Sequence, residues 1–338
     1  MRQPTTNTTK HVVVVGAGPA GLLASILLLR RNSPTSNTQY RVTIIDPGTD
    51  YGKLTDDGLN AARSWMIGLS CHGLSAIRSI PNLYEDYIHG LGIDIVKAKI
   101  GLSKSFIYDI DRKEIMNDDS SFTVDRNYIC AALSRYLNDN FESSDDFVSM
   151  YHTRGLYVDG DNKCIIARSK KEGGEDAMDR NINYDILLGC DGIRSIVRNA
   201  FVNTHRDFEF SLQGTFSYGK SVHVPLPDNV HDGTFMLIND ALPDGWVSFV
   251  LPETGQKLNV ALGTTLNKEC PTELKSNDPN VIAEYFRKNW HAFEIDADEV
   301  GKQWVNQKWS SISMVHCNFY HSNTLMALLL GDAAHATR

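Results

Sequence analysis

A glycine-rich turn between a strand and a helix near the N-terminus narrows the possible folds more than any other feature. Residues 11–15 form a β-branched run that stops at Gly16, and an apolar stretch of helical length covers residues 19–31. Between them lies Gly16-Ala17-Gly18-Pro19-Ala20-Gly21, a G-x-G-x-x-G string. Gly16 makes the tight turn, Gly18 lets the backbone approach a pyrophosphate, and Gly21 lets helix and strand pack closely. With Pro19 and Ala20 the loop opens a helix whose N-terminus offers free N–H groups and about half a positive charge. A polar loop, 32–39, leads to a second β-branched run, 40–46, closed by Pro47-Gly48. Asp46 ends that run 25 residues after Gly21, where an acid that grips a ribose belongs, and the loop absorbs the extra length. Strand, glycine turn, helix, strand is the opening of a parallel α/β sheet.

The pattern changes further along. Asp125 caps a helix with Ile129, Leu133 and Leu137 on one face. A short strand at 184–188 breaks at Gly189-Cys190-Asp191-Gly192, and a helix begins near Ser195. Residues 214–226, 233–239, 245–251 and 257–266 are strand-like runs separated by turn signals such as Pro243-Asp244-Gly245. That spacing reads as an antiparallel meander. One helix follows, with Asp278 as its cap, Pro279 at its first position and Ile282, Phe286 and Trp290 on one stripe. A strand at 324–330 then ends in Gly331-Asp332, and the charged patch 169–180 reads as a hairpin loop.

Composition removes several classes of function. With 42% hydrophobic and 22% charged residues and a mean hydropathy of -0.27, the 338-residue chain is globular, with room for two modest domains or one large α/β domain. Thirty-three basic against 41 acidic residues give a net charge of -8, which argues against a nucleic-acid surface. The six cysteines show no C-x-x-C spacing, so no zinc knuckle or redox dithiol is expected, and their scatter reads as reduced and intracellular. No metal site is expected. There is no second G-x-G-x-x-G, so no second dinucleotide-binding domain is expected, and without G-x-S-x-G or H-E-x-x-H hydrolase readings lack support.

Residues 189–198, Gly-Cys-Asp-Gly-Ile-Arg-Ser-Ile-Val-Arg, resemble the Asp-Gly motif of the single-component FAD-dependent aromatic hydroxylases. Leu330-Gly331-Asp332-Ala333-Ala334-His335 resembles their Gly-Asp motif. All three motifs stand in the family's order and at roughly its spacing, from residue 12 to the end. Within the family the likeness is strongest to the kynurenine hydroxylases, through residues 62–70, 186–192 and 316–335. The resemblance implies a Rossmann-like FAD-binding domain with a parallel sheet, interrupted by an inserted antiparallel-sheet substrate domain. The FAD-binding domain would comprise 1–85, 115–203 and 318–338, and the substrate domain 86–114 and 204–317.

It also implies chemistry. NADPH, or NADH, would reduce the flavin, O2 would be consumed, and one oxygen atom would go to an activated aromatic ring, with no catalytic side chain required. By resemblance Gly16, Gly18, Pro19, Ala20, Gly21 and Asp46 bind FAD, and Arg63 and Arg126 lie along its backbone. Asp191, Gly192 and Arg194 would lie near the pyrophosphate and the incoming NADPH, and Gly331 and Asp332 would hold the ribityl chain. The same scaffold carries epoxidation and flavin-dependent reduction, and a catalytically incompetent FAD-binding fragment is a further alternative. Oxygen uptake coupled to NADPH oxidation separates these.

Two departures matter. Kynurenine hydroxylases carry Arg-x-Arg where this chain has Lys97-Ala98-Lys99, so Lys99 is the expected partner of a substrate carboxylate, as a point charge and not a fork. Their assisting tyrosine falls at Asn117 or a neighbour, and their aromatic-rich segment is not recognisable in 236–246. The chain also stops at Arg338, within the first turns of the helix opened by Asp332, whereas the family continues. The expectation is therefore weak FAD retention by residues 1–338, and membrane association only through a later segment. By resemblance the location is cytoplasmic or the mitochondrial outer membrane.

Overall fold

The computed structural model describes residues 8–103, 106–111, 121–169, 179–265 and 268–336, and Asn117 lies outside them. The chain divides into two compact units, one of Met1–Ala61, Cys130–Gln213 and Ser313–Arg338, the other of Ala62–Ile129 and Gly214–Ile312. The first excursion into the second unit is thus wider than residues 86–114.

The first unit is built on a six-stranded sheet. Thr8–Val15 lies inside it, flanked on one side by Thr38–Ile45 and Phe147–Met150, on the other by Ile186–Gly189, Ala327–Leu329 and His321–Ser322. Every pairing is parallel except the last. A parallel sheet is covered on both faces, so its inner strand is continuously apolar; Val12, Val13 and Val14 are fully buried. The helix Pro19–Leu29 buries Leu22, Ile26 and Leu29. Asn32, just past its end, donates through Nδ2 to Tyr40 O and accepts from Tyr40 N, tying the loop to the second strand. The helix Arg126–Phe141 starts where expected: Asp125 Oδ1 accepts from Asn127 N at 2.7 Å, and Ile129, Leu133 and Leu137 are buried. A separate antiparallel sheet holds Thr153–Asp159, Cys164–Ser169 and Asp179–Asn183. Arg168 pairs with Asp179 across a hairpin whose residues 170–178 lie outside the described ones.

The second unit carries a seven-stranded sheet, and here the meander needs correction. Thr234–Leu242, Trp246–Glu253 and Lys257–Thr265 are consecutive antiparallel neighbours. The long strand Phe210–Pro225, however, pairs with the last of them and not the first. The first is met instead by Lys97–Ser103, in parallel, which makes the sheet mixed. One face is filled by Trp246, Val250, Val260 and Leu262 against the helices Pro279–Asn289 and Ala297–Asn306, through Ile282, Phe286 and Trp304. Asp278 caps the first helix through Asn280 N. The second helix was not anticipated, although Asp296 and Glu299 mark its start; Asp296 Oδ1 accepts from Asp298 N and Glu299 N. The two helices touch at Gly301, where a Cβ would lie 2.3 Å from Pro279 O. Lys220, buried beside Trp304 and Trp309, donates to Trp304 O at 2.6 Å and so satisfies a carbonyl in the last turn of that helix. Among the described residues no helix is long and apolar enough to cross a membrane.

Candidate cofactor site

The parallel sheet aligns its strand ends. Val15 is in register with Ile45 on one side and Gly189 on the other, and Gly189 is in register with Leu329. The residues that follow, Asp46, Gly16, Cys190 and Leu330, therefore leave four adjacent strands side by side at the carboxyl edge. This edge is where open α/β sheets take ligands. Three of these exits begin the three motifs, and the fourth is Asp46.

The glycine loop is shaped by its neighbours. Gly16 has a φ of +104° and passes so close to the Asp-Gly segment that a Cβ would lie 2.3 Å from Cys190 O. Gly21 is equally confined, with a Cβ position 2.0 Å from Gly16 O. Gly18 differs, because its φ of −76° and ψ of 176° are extended backbone open to any residue. It caps the helix with no side chain, Pro19 stands in the first turn, Ala20 follows, and that turn holds no acidic residue. A bare N-terminus of an 11-residue helix fits an anionic pyrophosphate. Asp46, half-buried, accepts from Ala17 N at 2.7 Å through Oδ2 and from Gly48 N at 2.6 Å through Oδ1. Each carboxylate oxygen thus braces one loop and keeps a lone pair for a further donor.

Asp191 turns inward. Its Oδ2 accepts from Ile196 N, the first amide of the helix Ile196–Thr204 that Ser195 caps, at 2.7 Å, whereas Oδ1 is buried with no partner among the described residues. Burial pushes its carboxyl up from the usual range, and the Ser195 hydroxyl and the Ile196 amide act in the opposite direction. Gly192 has a φ of +73°, which favours glycine, and Arg194 beside it is exposed. Gly331 adopts a φ of +56°, and a Cβ there would lie 2.9 Å from Ala20 Cβ, so the Gly-Asp turn abuts the glycine loop. Asp332 is exposed at the start of the short helix Asp332–His335.

Three expected residues lie in the second unit. Arg63 is exposed and donates to Ser310 Oγ. Arg126 stacks its guanidinium over the Trp65 ring at 5.0 Å. Lys99 is in register with Met236, which is in register with the core residue Val250. Directly paired residues share a sheet face, so Lys99 stands on the helix-covered face. Leu237, Phe249 and Ala261 occupy the other face, half-exposed. The residue that sequence reasoning passed over is Arg198, quoted in the Asp-Gly motif but given no role. Among the described residues no group of three or more His, Cys, Asp or Glu is placed to hold a metal ion.

The chain is 25% identical to violacein synthase of Chromobacterium violaceum, over 97% of its own length and 72% of the relative's. It is 25% identical to the kynurenine 3-monooxygenase of Saccharomyces cerevisiae over 97% and 69%, and 26% identical to that of Neurospora crassa over 97% and 64%. Over nearly its whole length the chain is similar to FAD-dependent aromatic hydroxylases. No protein-family model matches it. Solved structures agree on the hydroxylase fold at lower identity. The 2-methyl-3-hydroxypyridine-5-carboxylic acid oxygenase superposes with a TM-score of 0.69 at 15% identity, covering 97% of this chain and 76% of the other. PqsL of Pseudomonas aeruginosa, in complex with 2-aminobenzoylacetate, gives 0.67 at 13% over 97% and 80%. The hydroxylases are flavoprotein monooxygenases, hence oxidoreductases, and their cofactor is FAD.

Proposed function

We propose that the first unit holds FAD along the carboxyl edge of its parallel sheet and that the protein hydroxylates an activated aromatic substrate at the expense of NADPH and O2. The alignment of Asp46, Gly16, Cys190 and Leu330 across one sheet edge carries this reading. Gly18 and the bare first turn after it receive the pyrophosphate, Asp46 receives the adenosine ribose, and Gly331 and Asp332 face the ribityl chain. The Asp191–Gly192 turn lies beside the pyrophosphate. Arg63 and Arg126 are assigned to the cofactor by family resemblance alone. Bound FAD supplies the oxygen-activating chemistry, and the protein's part is to orient and to exclude water.

The substrate reading is an aromatic acid of the kynurenine or aminobenzoyl kind, supported by the names of the relatives and of the ligand in PqsL. The second unit offers the half-exposed apolar face of Leu237, Phe249 and Ala261 as a pocket floor, and Lys99 lies on its reverse. Equilibrium binding of FAD and FMN to the purified apoprotein tests the cofactor assignment. FAD should bind at least tenfold more tightly, since FMN lacks the adenosine and the second phosphate, and equal affinities overturn it. Oxygen uptake stoichiometric with substrate-stimulated NADPH oxidation tests the reaction, because a reductase consumes none.

A further inference from the structure

The half-exposed face of the seven-stranded sheet is apolar at Leu237, Phe249 and Ala261, but it has a polar corner. His223, Asn259 and Leu251 are paired across three adjacent strands, and Leu251 stands two residues from Phe249 on the same face. Asn259 is only 2% exposed, and its Nδ2 has no partner among the described residues. His223 Nδ1 and Glu253 Oε2 lie 2.6 Å apart. Their strands flank the one that carries Asn259, so the contact arches across that strand and covers the amide. We propose that Asn259 determines specificity, its Nδ2 receiving a carbonyl oxygen on the aromatic substrate, and that the His223–Glu253 pair is a latch that opens to admit it. The inference rests on the reading of this face as a pocket floor.

The physical case begins with cost. A buried amide nitrogen without an acceptor has given up water and gained nothing, and an apolar side chain would fill its place more cheaply. What the amide adds is discrimination. Leu237, Phe249 and Leu251 offer a ring apolar contact alone, which separates substrates differing by one oxygen poorly. A buried donor separates them well, because a ligand that lacks the acceptor leaves the donor unpaired. The amide is neutral, and the Glu253 carboxylate beside it repels a ligand carboxylate, so the group that fits is a neutral acceptor, the carbonyl of an aryl ketone or amide. The latch opens at little cost, since its two side chains are 39% and 22% exposed and a pair so placed contributes little. Its hinge side stays fixed. Gln303, on the helix Ala297–Asn306, accepts from His223 N at 2.8 Å and donates to His223 O at 2.9 Å, clamping the backbone from which the imidazole swings.

Two neutral probes that differ by one carbonyl oxygen, 2-aminoacetophenone and 2-ethylaniline, test the proposal by calorimetric titration of the purified protein with and without FAD. The parent should prefer the ketone at least tenfold. Asn259→Leu and Asn259→Val should bring the two affinities within twofold of each other. Glu253→Ala should act in the opposite direction, tightening the ketone at least threefold and leaving 2-ethylaniline unchanged. The carbonyl stretch of the bound ketone should lie at lower frequency in the parent than in the Asn259 variants, a shift that an asparagine of purely structural importance does not produce. No preference in the parent, a tenfold preference that survives both Asn259 variants, or ketone affinity unchanged or weakened in Glu253→Ala overturns the proposal. If the expected results hold although no aromatic compound stimulates oxygen uptake, the monooxygenase reading fails and the selective corner stands.

Discussion

Gly16 and Gly18 are two positions apart, yet alanine should act on them in opposite ways. At Gly16 the backbone has a φ of +104°, and the added carbon would lie 2.3 Å from Cys190 O and 2.7 Å from Cys190 C. The unusual backbone region costs an alanine about 1–3 kcal/mol. Relieving an overlap of that size against main chain costs roughly another 1–3 kcal/mol. The sum, about 2–6 kcal/mol, is a large part of the ~5–15 kcal/mol that holds a typical domain together. At Gly18 the φ of −76° and ψ of 176° suit alanine. Reduced freedom of the unfolded chain adds about 0.4–1 kcal/mol, and a poorer helix cap removes a similar amount. Gly18→Ala should therefore leave apoprotein stability within ~1 kcal/mol of the parent. In the proposed FAD site its methyl group stands in the path of the pyrophosphate, so FAD affinity should fall at least tenfold, or about 1.4 kcal/mol. Urea unfolding of the apoproteins followed by circular dichroism gives the first quantity, and titration of flavin fluorescence gives the second. Equal destabilisation by both variants, or full FAD affinity in Gly18→Ala, refutes the division of labour between the two glycines.

Asp191→Asn should flatten the stability of the apoprotein against pH. The native carboxyl titrates above its unfolded value, so the parent loses stability as pH rises from about 4 through that raised value, and the amide has nothing to titrate; an unaltered slope in urea midpoints contradicts the buried orphan oxygen. Asp46→Ala removes two charge-assisted bonds to backbone amides, each worth roughly 1.5–3 kcal/mol, and should weaken both stability and FAD binding. Gly301→Ala, with its Cβ 2.3 Å from Pro279 O, should destabilise the second unit by about 1–3 kcal/mol without changing FAD affinity. Lys99→Met should leave KM for an aromatic acid within twofold of the parent, because Lys99 shares a face with Met236 and Val250; a tenfold rise in KM would put its ammonium in the pocket.

Some of this molecule is written in short stretches of sequence. The strand–glycine–helix opening, the caps at Asp125 and Asp278 and the turns at Gly192 and Gly331 each depend on a few neighbouring residues. Local sterics and one or two hydrogen bonds decide them, so residue type and spacing reveal them. Asp296 and Glu299 carry the same kind of signal for the helix Ala297–Asn306. The rest depended on partners far away in the chain. Phe210–Pro225 could have paired with Thr234–Leu242 by proximity, but the parallel approach of Lys97–Ser103 occupies that edge. A strand's side chains alternate between faces, so only its pairing register decides which face Lys99 takes, and that register is set more than 130 residues away by Met236. The guanidinium of Arg198 spans turns 140 residues apart, Ile193 and Ala333, and no local pattern announces that. Local chemistry determined where the elements begin and end. Long-range pairing, in which each strand competes for edges and each buried charge must find its donors and acceptors, decided which of them meet.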